Sequence, residues 1–427
     1  MPRQEIDKSS MYLIILLSLV VVAAGVMMDL SRVKSAAASA ASSGGTVWES
    51  PQLLSSTAFD GAFIPVMKGD STSRLLLVYN QVTETEPDHV ENPYYRESVD
   101  LGLNWSAPRK IYSSDQSLLQ VTFAFDTNNE AHAVWRTEEE IWHSSEDEWP
   151  NSATRITSAS QKVFSPDIAV APDNSLHVVW SQFDKRIYHA HSEDGGLNWS
   201  SSFPLTDGSG GSVEPAIAVD QGGNIHVVWE ETIPDPEGLR YEIRHLIGTI
   251  SGAEVSWTNS AATLSAELLN ARRPAIAAQG EVVHVSFANR ISDAEQYAYY
   301  LHHTEQTGWS PLVNVTQDGP VAMNSSIPFL LVPALALCSD GPSIYFHGSD
   351  HSNGKELIIG VNDADDQLLR DQVNAGDVRA IRPSLVCIND TLHMVFEQVL
   401  DPDKNHQIYY LSKTGHALYL PFILKSG

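Results

Sequence analysis

Cysteine is nearly absent: the 427 residues contain two, Cys338 and Cys387. Two are too few for a disulfide framework or a cysteine-rich metal site. They fit either a pair of buried thiols packed as small hydrophobes or one bridge between neighbouring repeats, a choice that geometry decides. Positive charge is also scarce, with 26 Lys and Arg against 53 Asp and Glu and a formal net charge of -27. A surface this acidic repels phosphate backbones, so no nucleic-acid partner is expected. Phosphate loops, zinc-ligand spacings, nucleophile elbows and EF-hand loops are missing, and neither cofactor nor metal is expected. What the chain does have is apolar content, 42% hydrophobic, enough for a large core and too much for a disordered chain.

The first ten residues are polar. Residues 11–28, MYLIILLSLVVVAAGVMM, then run without a charge. That length suits a membrane-spanning helix or the apolar region of a secretory signal. Arg32 and Lys34 separate this run from the small residues of SAAASAASSGG (35–45), which favours an uncleaved anchor over a cleaved leader. Either way the remainder is expected outside the cytoplasm, secreted or anchored at the cell surface. Residues 29–46 read as a linker and 47–427 as one folded unit.

That unit is repetitive. Apolar runs ending in an aromatic recur roughly every fifty residues, the mark of one supersecondary unit repeated. Their anchors are Tyr79, Trp135, Trp180, Trp229, Phe287, Phe346 and Phe396. Each has an apolar partner upstream across an Asp/Asn/Gly-rich turn, as in PAIAVDQGGNIHVVW (215–229), which predicts a hairpin. Proline opens most of the first strands, at Pro65, Pro166, Pro215, Pro274, Pro333 and Pro383. A third strand follows, as in RIYHAHSED (186–194), and then a fourth, usually led by Trp. Four short antiparallel strands per repeat predict an all-β propeller, seven blades favoured and six the alternative. WESPQLLS, from Trp48, reads as a fourth strand with no three before it, so it is expected to complete the last blade and close the ring. The sixth repeat lacks the Trp, and the tail at 416–427 has no clear place.

One sentence is written twice, SVDLGLNW (98–105) and SEDGGLNW (192–199), with a decayed third copy in SSEDEW (144–149). Asp can bind turn N–H groups, Gly can take a positive φ, and Trp can pack between blades. Ser98, Asp100, Gly102 and Trp105, with Ser192, Asp194, Gly196 and Trp199, resemble the Asp box, or BNR repeat, of the sialidase superfamily. The resemblance runs from about residue 48 to the end. It implies a propeller whose Asp boxes lie on the face opposite the active site. Five histidines recur three residues before an anchor, His132, His177, His226, His284 and His393. Each belongs to a different blade, so they are expected to be structural rather than to converge on one ion.

The opposite face, at the mouth of the channel, is lined by residues flanking the first and second strands. Its candidate ligand contacts are Arg136, Glu214, Glu230, Arg273, Arg382 and Glu397. Arg, Glu, Asn and Gln together suit a sugar or a carboxylate, which Arg grips with paired hydrogen bonds. The resemblance implies three arginines on a sugar carboxylate, a Tyr nucleophile activated by Glu, and an Asp acid. The first arginine of that pattern usually stands in Phe/Tyr-Arg-Ile-Pro. Here the stretch is AFIPV (62–66), without the Arg. Arg273 and Arg382 could stand for the other two, with Arg136 a distant substitute. No Tyr is assignable as nucleophile, so no catalytic residue is named. The expectation is a binding module for a glycan or a cell-surface protein, with a diverged sialidase-type glycoside hydrolase as the alternative. A third reading, a repeat protein without a ligand, predicts mouth residues that pair with one another. Five glycosylation sequons start at Asn104, Asn198, Asn314, Asn324 and Asn389, two of them inside the Asp boxes.

Overall fold

The computed structural model describes residues 48–414, apart from 56–60, 83–89, 159–160, 236–237, 253, 293–294, 317–332, 340, 350–355, 365–366, 374–378 and 400–405. The apolar segment 11–28, the linker and the tail at 416–427 lie outside the described residues. Among the described residues no helix is long and apolar enough to cross a membrane.

The described strands form seven antiparallel sheets in chain order, each built on a path of four. The first blade comprises Ala62–Gly69, Leu75–Val82, Glu91–Ser98 and Arg109–Lys110. The second comprises Leu119–Phe125, Ala131–Arg136, Glu140–Ser145 and Thr154–Ser158. The last takes Arg379–Ile388, Thr391–Val399 and His406–Thr414 from the C-terminal part and Gln52–Leu53 from the N-terminal part. Gln52 faces Tyr410 and Leu53 faces Tyr409 across that seam, as the unpaired WESPQLLS predicted. The first strand of each blade touches the first strand of the next, and Arg379–Ile388 touches Ala62–Gly69, so the sheets form a closed β-propeller. The sixth blade has its Trp-less fourth strand at Gln367–Val373.

The core lies between blades. Seven buried apolar clusters are found among the described residues, each shared by two adjacent sheets. Trp180 and Phe396 are fully buried and Trp135 nearly so, as the repeat required. Cys338 and Cys387 are bonded, with Cα atoms 5.3 Å apart, joining the first strands of the sixth and seventh blades.

Two sequence expectations need correction. The prolines do not open their strands in five of the six cases. Pro65, Pro166, Pro215, Pro274 and Pro383 lie inside them, where the pairing register slips. A bulge frees the N–H position that proline cannot fill. The tryptophans lead fourth strands less directly than expected. In the first and third blades Trp105 and Trp199 belong to the turn, and the fourth strand is only Arg109–Lys110 or Phe203–Pro204.

Both Asp boxes fold identically. Ser98 Oγ donates to Asp100 Oδ1 (2.8 Å) and accepts from Gly102 N (2.8 Å), while Asn104 N and Nδ2 reach the two Asp100 oxygens at 2.8 and 2.7 Å. The second box repeats these bonds at Ser192, Asp194, Gly196 and Asn198 within 0.1 Å. Gly102 and Gly196 have φ of 87° and 92°. A Cβ on Gly102 would sit 1.8 Å from Tyr410 Oη, and one on Gly196 2.0 Å from the His143 ring. Gly195 has φ 69° but open space around it. Gly196→Ala is therefore expected to cost about 2 kcal/mol more than Gly195→Ala, the overpacking penalty added to a shared backbone strain. Urea unfolding of the two variants checks this.

The box tryptophans pack on the preceding blade: Trp105 on Tyr410 and Trp199 on His143, with ring centroids 5.1 and 5.4 Å apart. Trp149, Trp257, Trp309 and Trp48 do the same on Tyr95, His189, His245 and Tyr345. Each recurrent histidine completes this arrangement by bonding a third-strand ring of its own blade. The pairs are His132–His143 (3.1 Å), His177–His189 (3.1 Å), His226–His245 (3.0 Å), His284–Tyr300 (2.7 Å) and His393–Tyr410 (2.8 Å).

Candidate functional site

The bulges do more than admit proline. The residue at each one adopts a left-handed backbone: Ile64, Gln120, Ser165, Glu214, Arg273 and Arg382 have φ between 49° and 56°. For non-glycine residues this costs on the order of 1–3 kcal/mol each, and such strain gathers at functional surfaces. Side-chain oxygens from the preceding blade hold several of these backbones. Glu397 Oε2 accepts from Ile64 N (3.2 Å), and Gln120 Oε1 accepts from Ser165 N (3.1 Å).

A pocket of about 380 Å³ opens at the channel mouth across the second to fifth blades. Arg136, Glu214, Glu230 and Arg273 line it, together with Arg272, Gln120, Phe164, Ser165, Ser181 and Val213. The structure thus brings together four of the six expected contacts. Arg382 and Glu397 do not line it. They pair in the seventh blade, Arg382 Nη1 standing 3.0 and 2.9 Å from the two Glu397 oxygens, and His406 Nδ1 also bonds the carboxylate. Burial would raise the pKa of Glu397, but His406 and Arg382 outweigh it and hold the group below its ordinary value. Glu397 is fully buried, so this cluster fastens the seventh blade to the first. Arg382 is thus held by Glu397 in the seventh blade and is not among the residues lining this pocket.

Inside the pocket the charges divide unevenly. Arg272 donates to Glu230 Oε1 (3.0 Å) and Asn270 Oδ1 (2.7 Å), and its guanidinium lies 3.3 Å from the centroid of the Tyr241 ring. Glu230 is 3% exposed, and burial raises its pKa although Arg272 opposes the shift. Arg273 and Glu214 are 3.2 Å apart with side chains about a third exposed, a loose pair that solvent screens. Arg136 differs. Its Nε donates to Gln120 Oε1 (2.6 Å), its Nη1 to Thr137 O (3.2 Å), and its guanidinium lies 5.5 Å from the Phe164 ring centroid. Burial lowers its pKa, but an arginine stays charged at neutral pH. Among the described residues no carboxylate forms an ion pair with it. The mutual pairing expected of a repeat protein without a ligand holds for three mouth arginines and not for Arg136.

Gln120 was missed because the second blade has Val121 where five others have proline. Its place before the strand's second half, matching Ser165 before Pro166, was the available signal. Arg272 is not among the contacts the sequence singled out. Nothing in the spacing showed that it, rather than Arg273, grips Glu230. Neither Tyr nor Asp is among the described lining residues, and Phe63 precedes the Ile64–Pro65 bulge where the Phe/Tyr-Arg-Ile-Pro pattern has its arginine.

No family model matches the sequence, and no curated protein matches it. Solved structures do match its fold. The NanB sialidase of Streptococcus pneumoniae aligns with a TM-score of 0.50 at 12% identity, over 86% of this chain and 70% of that one. A protein of unknown function from Dyadobacter fermentans aligns with a TM-score of 0.52 at 12% identity, over 87% of this chain and 99% of that one. Identity this low speaks to fold alone. The chain therefore has the fold of a sialidase-like β-propeller, with Asp-box turns on the face opposite its channel-mouth pocket.

Proposed function

We propose that this protein is an exported binding propeller, held at the cell surface through residues 11–28, whose channel-mouth pocket takes an acidic glycan or a similar carboxylate-bearing ligand. The observation that carries the reading is Arg136. It is the lining guanidinium without a carboxylate partner among the described residues, and it is positioned by Gln120 and Phe164 beside Ser165 and Ser181. A fixed, partly desolvated guanidinium favours a bound carboxylate. The Cys338–Cys387 bond supports export, since such bonds persist in oxidising compartments.

A diverged glycoside hydrolase is the second reading, and Glu230 favours it. A buried carboxyl with a raised pKa suits a general acid. Among the described lining residues there is no Tyr for the nucleophile role of the resemblance, which weighs towards binding. Arg136→Ala is expected to weaken binding of an acidic-sugar panel at least about tenfold, the loss of roughly 1.5–3 kcal/mol for a charged hydrogen bond. Neutral sugars would be affected less. Equal binding of acidic sugars by the variant and the parent would refute the assignment.

A further inference from the structure

The turn between the first and second strands is capped by an aspartate in the first, second and fourth blades, and the second differs in the residue four positions on. In the first blade Asp70 caps the turn and Arg74, four residues on, pairs with it at 2.9 Å. In the fourth blade Asp220 caps, Asn224 fills the position of Arg74, and His226 Nε2 rests 3.4 Å from Asp220 Oδ2. In the third, Ser175 Oγ meets His177 Nε2 at 2.9 Å. Each of these turns places a donor side chain at that position.

The second blade does not. Asp126 caps the turn, accepting from Asn128 N and Glu130 N at 2.8 Å and from Asn128 Nδ2 at 3.0 Å. Glu130 then stands where Arg74 or Asn224 stands elsewhere, so two carboxylates replace a carboxylate and its hydrogen-bond donor. His132 follows, 3% exposed, with Nδ1 bonded to His143 Nε2. Among the described residues its Nε2 has no hydrogen-bond partner, and neither does the Glu130 carboxylate. Donor atoms of Asp126, Glu130 and His132 lie within 4.8 Å of one another. The nearby guanidinium of Arg74 is engaged by Asp70, Glu146 and the Asn129 carbonyl, so it does not neutralise the pair.

We propose that Asp126, Glu130 and His132 bind one divalent transition-metal ion on the Asp-box face of the second blade. Two carboxylates and an imidazole suit an ion of the zinc or manganese type, and water would complete the shell. The support behind the imidazole is already built. His132 can donate through Nδ1 to His143 Nε2, which orients its ring with Nε2 towards the carboxylates, as in ligating histidines generally. His143 then carries its proton on Nδ1, the buried atom without a hydrogen-bond partner. The ion would act structurally. The same turn is stitched to the first blade through Asn129 Oδ1 and Ser71 N (3.0 Å), and to the third through Thr127 N and Asn174 Oδ1 (3.0 Å). Locking it would fasten three blades together. No catalytic role follows, because the pocket is on the other face.

The test is calorimetric titration of Zn²⁺ into the full-length protein after EDTA treatment and dialysis, with thermal unfolding followed in parallel. One ion per chain is expected, with a rise in Tm. Affinity should fall at least about tenfold in Glu130→Gln and in Asp126→Asn, and hold within about twofold in Glu148→Gln, a neighbouring acid outside the triad. The tryptophan fluorescence of each variant shows whether it is folded. Glu130 is only half-buried, so its variant should keep the fold even if Asp126→Asn does not. Absence of saturable binding overturns the proposal. So does binding that Glu130→Gln leaves unchanged, which would place the ion elsewhere.

Discussion

Lowering the pH from 7 to 5 is expected to destabilise the propeller by several kcal/mol, well before carboxylates titrate in bulk. The cause is the set of buried histidines. Burial pushes His143, His177 and His245 down to about 3, and His284 and His393 down to about 4. Each belongs to a different blade and is at most 9% exposed. In the unfolded chain a histidine titrates near 6.5. Between that value and 3 to 4 the unfolded chain binds a proton that the fold excludes. Stability is therefore fully present above about pH 6.5 and drains away as the pH falls towards 3 to 4. One such histidine loses about 2 kcal/mol between pH 7 and 5, so five approach the whole stability of an ordinary domain. Two effects oppose this: repulsion within a chain of net charge -27 eases, and Glu230, raised by burial, takes up its proton early. Urea denaturation at pH 7.0 and 5.0 measures the balance. The midpoint should drop sharply at pH 5.0, and a variant carrying His132→Leu and His143→Leu should drop less. An unchanged midpoint would mean that the fold accommodates the protons.

The second large effect concerns ring closure. Deleting residues 48–55 is expected to cost on the order of 5 kcal/mol and to leave an aggregating protein. Leu54 is fully buried in the cluster between the seventh and first blades. Its N–H donates to Ile408 O at 2.8 Å, Glu49 N donates to Ser412 O at 2.9 Å, and Trp48 packs edge-on against Tyr345. Without this segment the strand His406–Thr414 becomes an open edge that can pair with another chain. Leu54→Ala alone should cost about 2–5 kcal/mol. The Cys338–Cys387 bond fastens the seventh blade on its other side, to the sixth, and replacing both cysteines by serine should cost about 2–5 kcal/mol. Either loss alone lowers the urea midpoint, and both together should abolish cooperative unfolding. If deletion of residues 48–55 left the midpoint intact, the N-terminal strand would not be the closure.

Much of this architecture was legible in the sequence because a repeat multiplies weak signals. One hairpin at LHVVW says little, but seven aromatic anchors at a common period define a blade. The lone fourth strand at Trp48 was readable for the same reason, since a ring must close. The Asp boxes revealed their glycine and aspartate roles because the same turn is written twice. The bulges were not legible. Proline before a β-branched or alanine-rich run reads equally well as a strand start, and only pairing register shows the slip at Ile64–Pro65 or Arg273–Pro274. The site suffered most from this. Left-handed backbone decides which of two adjacent arginines faces which acid, so Arg272 took Glu230 while Arg273 took Glu214. Arg382 and Glu397 hold the same strand positions as Arg273 and Glu230, yet they belong to the seventh blade and pair with each other there rather than line the pocket. The two cysteines could be paired only once adjacent blades brought their Cα atoms within bonding range.

The channel-mouth pocket is proposed to bind a ligand without transforming it. The direct measurement is to incubate the full-length protein with fluorogenic glycosides, a sialoside included, and to measure on the same preparation both product release and equilibrium binding of the matching free sugars. Saturable binding of an acidic sugar, lost on Arg136→Ala, with no release of product, is the expected result. Turnover that disappears in Glu230→Gln would contradict it and make the pocket an active site.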